Sequence, residues 1–201
     1  MGERDTWTSQ KANTDQSLYS ITWSGSQFIA VGYDNTILTS SDGHSWIFRN
    51  ADYALDLHGV TSLHSRFVAV GDTILSSSDS RTWATQITIA HSTLFGTTCS
   101  DSQFIAVGDG TILASPDGHT WTSVNLSTNP YLLGTTWSGS QFVAVGDRGV
   151  ILTSSNGKTW TTRSSGTNES LYSVTWSKSQ FVAVGNGIIL TSSNGYNWNN
   201  P

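Results

Sequence analysis

The chain repeats itself five times, and that repeat limits its possible folds more than any other feature. The motif Phe-(Ile/Val)-Ala-Val-Gly begins at Phe28, Phe67, Phe104, Phe142 and Phe181, at spacings of 39, 37, 38 and 39 residues. Ahead of each copy lies a segment of constant length: LYSITWSGSQ, LHGVTSLHSR, LFGTTCSDSQ, LLGTTWSGSQ and LYSVTWSKSQ. Behind each lies an Ile-Leu pair, a Ser and a closing tryptophan: Trp46, Trp83, Trp121, Trp160 and Trp198. A period of about 40 residues means that one supersecondary unit recurs, each copy burying its apolar face against the next.

Each unit divides into four short strands, A to D, because turn residues separate runs rich in Val, Ile, Thr, Phe and Trp. In the first unit these are about 18–24, 27–31, 36–40 and 45–49, with turns at Gly25-Ser26 and Asp42-Gly43. Asn156-Gly157 and Asn194-Gly195 fill the same C–D turn in later copies, and Asn-Gly is a strong hairpin signal because both residues tolerate positive φ. The 201 residues include 32 Ser, 27 Thr and 19 Gly, with only 11 % charged residues, a composition that favours strands and turns over helix interiors. A four-stranded antiparallel meander repeated without helices predicts an all-β fold, a five-bladed β-propeller in a single domain over 1–201. The blades are expected at about 17–50, 56–88, 93–126, 131–164 and 170–201. A β-solenoid is the rival, but its rungs would not need two tight hairpins per unit.

Ring closure is predicted from a sixth tryptophan. Trp7 in DTWTSQ matches Trp160 in KTWTTR, so residues 5–10 are expected to pair with strand C of the last blade as its outer strand. Trp198 is followed by only Asn-Asn-Pro, which is read as too short to compete for that place. The small residues Ser20, Gly59, Gly96, Gly134 and Ser173 are expected where the inner strands crowd together. Trp23, Trp137 and Trp176 are expected to fill inter-blade space.

The C–D turns SSDGHSW (40–46), SPDGHTW (115–121) and SSNGKTW (154–160) resemble the Asp-box, Ser-x-Asp-x-Gly-x-Thr-Trp. That box occurs in sialidase (BNR-like) repeats and in photosystem II assembly/stability-factor-like propellers. The resemblance covers all five repeats and implies a structural hairpin, with the Asp bonding backbone amides and the Trp packing between strands; it implies a propeller and no activity. The box is one residue short here, since Asp42 to Trp46 is four positions rather than five, and its Asp is Asn156 and Asn194 in the last two copies. A sialidase site would need an Arg cluster and a Tyr–Glu pair; the chain has two Glu, at 3 and 169, and six scattered Arg. No catalytic residue, metal site or cofactor is assigned, and the chain is read as not an enzyme. His58 and His64 lie too far apart along one strand to share an ion.

The B–C turn carries Asp34, Asp72, Asp109, Asp147 and Asn186, expected as a ring on the face shared with the variable D–A loops. Turn propensity alone accounts for Asp and Asn there, and an acidic rim for a sugar or cation is the sharper reading. Two binding functions follow. A lectin-like module would use polar and aromatic pockets, with Tyr33, Asp34, Tyr53, His91, Tyr131, Asp147 and Asn168 as ligand residues beside Asp72, Asp109 and Asn186. A protein-interaction module would use the non-identical loops as one composite surface. A recently amplified or engineered array without a ligand is the remaining alternative. The formal net charge of −5, without a basic stripe, argues against nucleic acid. No apolar run is long enough for a membrane helix, and the first residues carry no signal peptide; a soluble monomer is expected, with its compartment open.

Overall fold

The computed structural model describes residues 8–49, 55–86 and 92–200. Five antiparallel sheets follow one another along the chain, each a meander in sequence order. The first contains β1 (Leu18–Trp23), β2 (Phe28–Gly32), β3 (Ile37–Ser40) and β4 (Ile47–Arg49). The second contains β5 (Leu57–Leu63), β6 (Arg66–Gly71), β7 (Ile74–Ser77) and β8 (Ala84–Gln86). The third contains β9 (Leu94–Cys99), β10 (Phe104–Gly108), β11 (Thr111–Ser115) and β12 (Thr122–Ser123). The fourth contains β13 (Leu132–Trp137), β14 (Phe142–Gly146), β15 (Ile151–Ser154) and β16 (Thr161–Arg163); the fifth contains β17 (Leu171–Trp176), β18 (Phe181–Gly185) and β19 (Ile189–Ser192). One 3₁₀ turn, Asp147–Gly149, is the only helical element among the described residues.

Alternation along each second strand makes the core. In β10 and β14 every residue is buried, because one face packs on the preceding sheet and the other on the following sheet. Between the third and fourth sheets, Ile105, Val107 and Ile112 meet Leu132, Phe142, Ala144 and Leu152. The same two half-faces meet between the first and second, second and third, and fourth and fifth sheets. The inner strands do crowd as expected: a Cβ on Gly134 would lie 3.0 Å from the Tyr172 carbonyl oxygen and the Ser173 Cα of the next sheet.

Two features depart from the sequence expectations. Residues 8–10, the described part of the closing strand expected at 5–10, carry no strand; residues 5–7, with Trp7, lie outside the described residues. At the outer edge of the fifth sheet Asn199 bridges Thr191, each backbone N–H donating to the other's carbonyl at 2.9 Å, in the register that sets Thr161 opposite Thr153 in the fourth sheet. The short tail after Trp198 therefore reaches this edge through Asn199, because the C–D turn delivers the chain directly onto it. The second departure is in the ring. Inner strands β1, β5, β9, β13 and β17 pack in succession, but no comparable packing joins β17 back to β1.

The C–D turns share one hydrogen-bond pattern. Asp42 Oδ1 accepts from the amides of His44 (2.8 Å) and Ser45 (2.7 Å), Gly43 N–H donates to Ser40 Oγ (2.8 Å), and the Trp46 indole N–H donates to the Gly43 carbonyl (3.2 Å). Asn194 Oδ1 accepts the equivalent amides of Tyr196 and Asn197, so a neutral amide closes the turn too. These donors stabilise the ionised carboxylate. The Ser45 and His44 amides and the Ser40 hydroxyl hold Asp42 well below the usual carboxylate range, and the Thr82 and Arg81 amides do the same for Asp79. At Asp117 partial burial pushes upward, but the Thr120 and His119 amides outweigh it and bring the carboxyl to about 2.

A depressed folded-state pKa adds stability above the unfolded value near 4, and that stability is lost as pH falls through the folded value. Melting temperature should therefore fall between about pH 4 and pH 2, and the triple variant Asp42→Asn, Asp79→Asn, Asp117→Asn should flatten that dependence while keeping the fold. Lys178 holds φ +74° at a turn where the equivalent Gly25 and Gly139 have φ +93° and +95°. Lys178→Gly should raise stability by up to about 1 kcal/mol, read as a higher denaturant midpoint at unchanged m.

Candidate functional site on the inner rim

The site begins with a backbone irregularity. In every sheet the pairing of first and second strands slips by one residue near the start of the first strand, between Leu18/Ser20, Leu57/Gly59, Leu132/Gly134 and Leu171/Ser173, and opposite Val107/Gly108 in the third sheet. The skipped residues are Tyr19, His58, Phe95, Leu133 and Tyr172, and a bulge re-aims a side chain out of the ladder. Gly146 shows why glycine closes the second strand here, since a Cβ on it would sit 2.0 Å from the Tyr131 carbonyl oxygen.

The bulge side chains of the first three sheets pack ring against ring, and Tyr131, just before β13, continues the series in place of the fourth sheet's bulge residue Leu133. Tyr19 and His58 stack with ring centroids 5.3 Å apart at 26°, while His58 and Phe95 (5.4 Å, 41°) and Phe95 and Tyr131 (5.0 Å, 39°) are tilted. The spacing is that of favourable aromatic pairs. Four rings thus form a ladder along the inner rim, from the first strand of the first sheet to the residue that leads into β13, with Tyr19 and Tyr131 exposed. Tyr172 stands exposed at the matching bulge of the fifth sheet.

Around this ladder lie the B–C turns. The residue after each strand-ending glycine donates its N–H to the residue that precedes the same sheet's first strand: Tyr33 to Ser17, Asp72 to Asp56, Asp109 to Thr93, Asp147 to Tyr131 and Asn186 to Ser170. The first sheet thus places Tyr33, not Asp34, in the position expected to carry the ring of acids; Asp34 follows it at φ +51°. Several of these side chains tie one sheet to the next. Thr93 Oγ1 donates to Asp72 Oδ1 at 2.9 Å, Ser170 Oγ donates to Asp147 Oδ1, and the Asp34 amide donates to Asp56 Oδ1 at 3.1 Å. Asn186 Nδ2 donates to Glu169 Oε2 at 2.8 Å within its own sheet. The Ser170 hydroxyl is the main cause that holds Asp147 below its ordinary value, against some burial and with help from Arg148.

Of the residues expected to bind a ligand, Tyr33, Asp34, Asp72, Asp109, Tyr131, Asp147 and Asn186 come together on this rim. Asn168 lines a groove of about 390 Å³ that it shares with Arg148 of the rim and with Arg163 and Ser165. Tyr53 and His91 lie outside the described residues. Among the described residues the rim carries Asp34, Asp56, Asp72, Asp109, Asp147 and Glu169 against Arg148, so its potential is negative. No group of three His, Cys, Asp or Glu suited to a metal ion is found among the described residues. His58 belongs to the ladder, while His64 sits at the far end of its hairpin, at φ +54°.

Sequence reasoning passed over Tyr19, His58, Phe95 and Tyr172 as ligand residues. The available signal was variation: the residue after each strand-opening leucine changes from Tyr to His to Phe to Leu to Tyr, while the leucine is constant and the next residue is always Ser or Gly. It also missed a groove of about 990 Å³ between the third and fourth sheets at the opposite end, lined by Asp101, Gln103, Ser123, Trp137, Asn156 and Lys158. Trp137 there packs tilted against Phe142 of its own sheet, ring centroids 4.3 Å apart, as Trp23 does against Phe28 and Trp176 against Phe181. Cys99 lies between the second and third sheets, its thiol donating to the Ser62 carbonyl at 3.3 Å, and burial pushes its pKa up.

No protein-family model and no curated protein matches this sequence. Its fold does match solved β-propellers. YCF48 bound to D1 peptide superposes with a TM-score of 0.76 at 18 % identity, over 98 % of this chain and 70 % of that one. Virginiamycin B lyase from Staphylococcus aureus gives 0.81 at 12 %, over 94 % and 71 %, and the WD40 β-propeller domain of Doa1 gives 0.67 at 17 %, over 90 % and 67 %. The chain has a β-propeller fold. At these identities the likeness concerns architecture alone, and it includes both binding proteins and an enzyme.

Proposed function

We propose that the chain is a non-catalytic binding propeller that takes an extended, basic segment of a protein partner along its inner rim. The observation that carries this reading is the ladder Tyr19–His58–Phe95–Tyr131. Its three centroid steps of 5.0–5.4 Å match about five residues of extended peptide. Aromatic faces attract Lys and Arg side chains, and the flanking carboxylates add a negative potential that steers a cationic segment towards them. YCF48 in complex with a D1 peptide offers a parallel from the same architecture.

The ladder also favours a composite surface over lectin-like pockets. Five near-equivalent pockets would need five similar rims, whereas the bulge position holds Tyr, His, Phe, Leu and Tyr in turn. One partner per chain follows from that inequality. The C–D turns, in which Asp42 gathers two amides and Trp46 bonds Gly43, support kinship with Asp-box repeats, whose role is structural.

Titration with fluorescent Lys- and Arg-containing 8- to 12-residue peptides tests this reading. Binding should show one peptide per chain and weaken as salt rises. Phe95→Ala or His58→Ala should lower affinity about 5- to 30-fold, corresponding to loss of ~1–2 kcal/mol, and Asp109→Asn should reduce the salt dependence. Several equivalent glycan sites per chain, or turnover of sialosides, would overturn it.

A further inference from the structure

The two ends of the array expose opposite halves of one interface. Inside the chain every junction places the Val/Ile face of one sheet against the Leu/Phe/Trp face of the next. The fifth sheet has no successor among the described residues. Its Val184 is 41 % exposed and Ile189 51 %, whereas Val31, Val70, Val107 and Val145, and Ile37, Ile74, Ile112 and Ile151, are all at 0 %. The first sheet has no predecessor among the described residues. Its Leu18 is 41 % exposed, against 0–1 % for Leu57, Leu94, Leu132 and Leu171, and Ile21 is 57 % exposed against 6 % for Val60 and Val174. Such contiguous apolar faces mark interaction surfaces.

The width of the opening follows from chain length. The chain aligns to 67–71 % of the length of three propeller chains, so at about 40 residues per blade a circle built on that much chain holds about seven blades, about two more than these five. We propose that the face of β18 and β19 and the face of β1 and β2 are the two walls of one docking slot, and that its occupant is a pair of further sheets of this same repeat, carried in line with these five. The leading sheet of the pair would set Leu, Phe, Ala and Trp against Val182, Val184 and Ile189. The trailing sheet would set Val and Ile against Leu18, Ile21 and Phe28. Continuity with four existing junctions argues for this occupant. A second copy of the chain brings the right faces but five sheets for a two-sheet space, so its contact would not close.

Three extended chains test the proposal, made by continuing after Trp198 with residues 161–201, 122–201 or 84–201, which add one, two or three sheets. The two-sheet extension should be monomeric, bind several-fold less of the apolar dye ANS than the 201-residue chain, and melt higher than either other extension. Ile21→Lys should lower the melting temperature of the two-sheet extension and leave that of the 201-residue chain unchanged, because only closure buries Ile21. Equal or greater stabilisation by one or three sheets would overturn the proposal. So would indifference of the two-sheet extension to Ile21→Lys, or a defined oligomer of the 201-residue chain that no longer binds the dye.

Discussion

The junction between consecutive sheets is the interaction on which everything else depends. A single four-stranded meander of these short strands has two apolar faces and no interior of its own. It becomes stable only when Ile105, Val107 and Ile112 find Leu132, Phe142, Ala144 and Leu152 on a neighbour, or the equivalent set elsewhere. The small residues of the inner strands let the sheets approach closely enough for this contact, and Gly134 against Ser173 shows how little room is left. Because each junction joins unlike faces, the array has a direction, and its two ends differ.

The turns hold the geometry that the junctions need. Asp42, Asp79, Asp117, Asn156 and Asn194 each gather two backbone amides with one side-chain oxygen, which places the following tryptophan ring at the edge of the core. An Asp does this as an ion and an Asn as a neutral amide, so the turn survives the exchange while its acid sensitivity does not. At the other end of the hairpins the acids work differently. Asp72 and Asp147 reach across to Thr93 and Ser170 of the next sheet, so residues that read as a binding ring also brace the rim.

The candidate site arises from the same constraint. A one-residue slip at the start of each first strand frees one side chain from the ladder of hydrogen bonds, and crowding of the inner strands brings those of the first three sheets ring against ring, with Tyr131 beside the last of them. Structural positions repeat because every junction must be alike. Bulge positions are under no such demand and differ, which is what a surface for one non-repetitive partner requires.

Local chemistry determined much of this protein without any tertiary information. The period, the four strands per unit, the hairpin turns and the small inner positions were legible because each rests on neighbours close in sequence: alternation, Asx turns and glycine at positive φ. The stacking of Tyr19 on His58, 39 residues away, was not legible, since it depends on bulges that bring non-adjacent strands together. Nor was the fate of the ends. The tail after Trp198 reads in the sequence as too short for the outer strand, yet Asn199 pairs with Thr191 because the last turn delivers the chain onto that edge. Counting five repeats suggests five blades in a closed ring, but closure is set by the angle at each junction. That angle is a property of side chains packed between sheets, which only the tertiary structure decided.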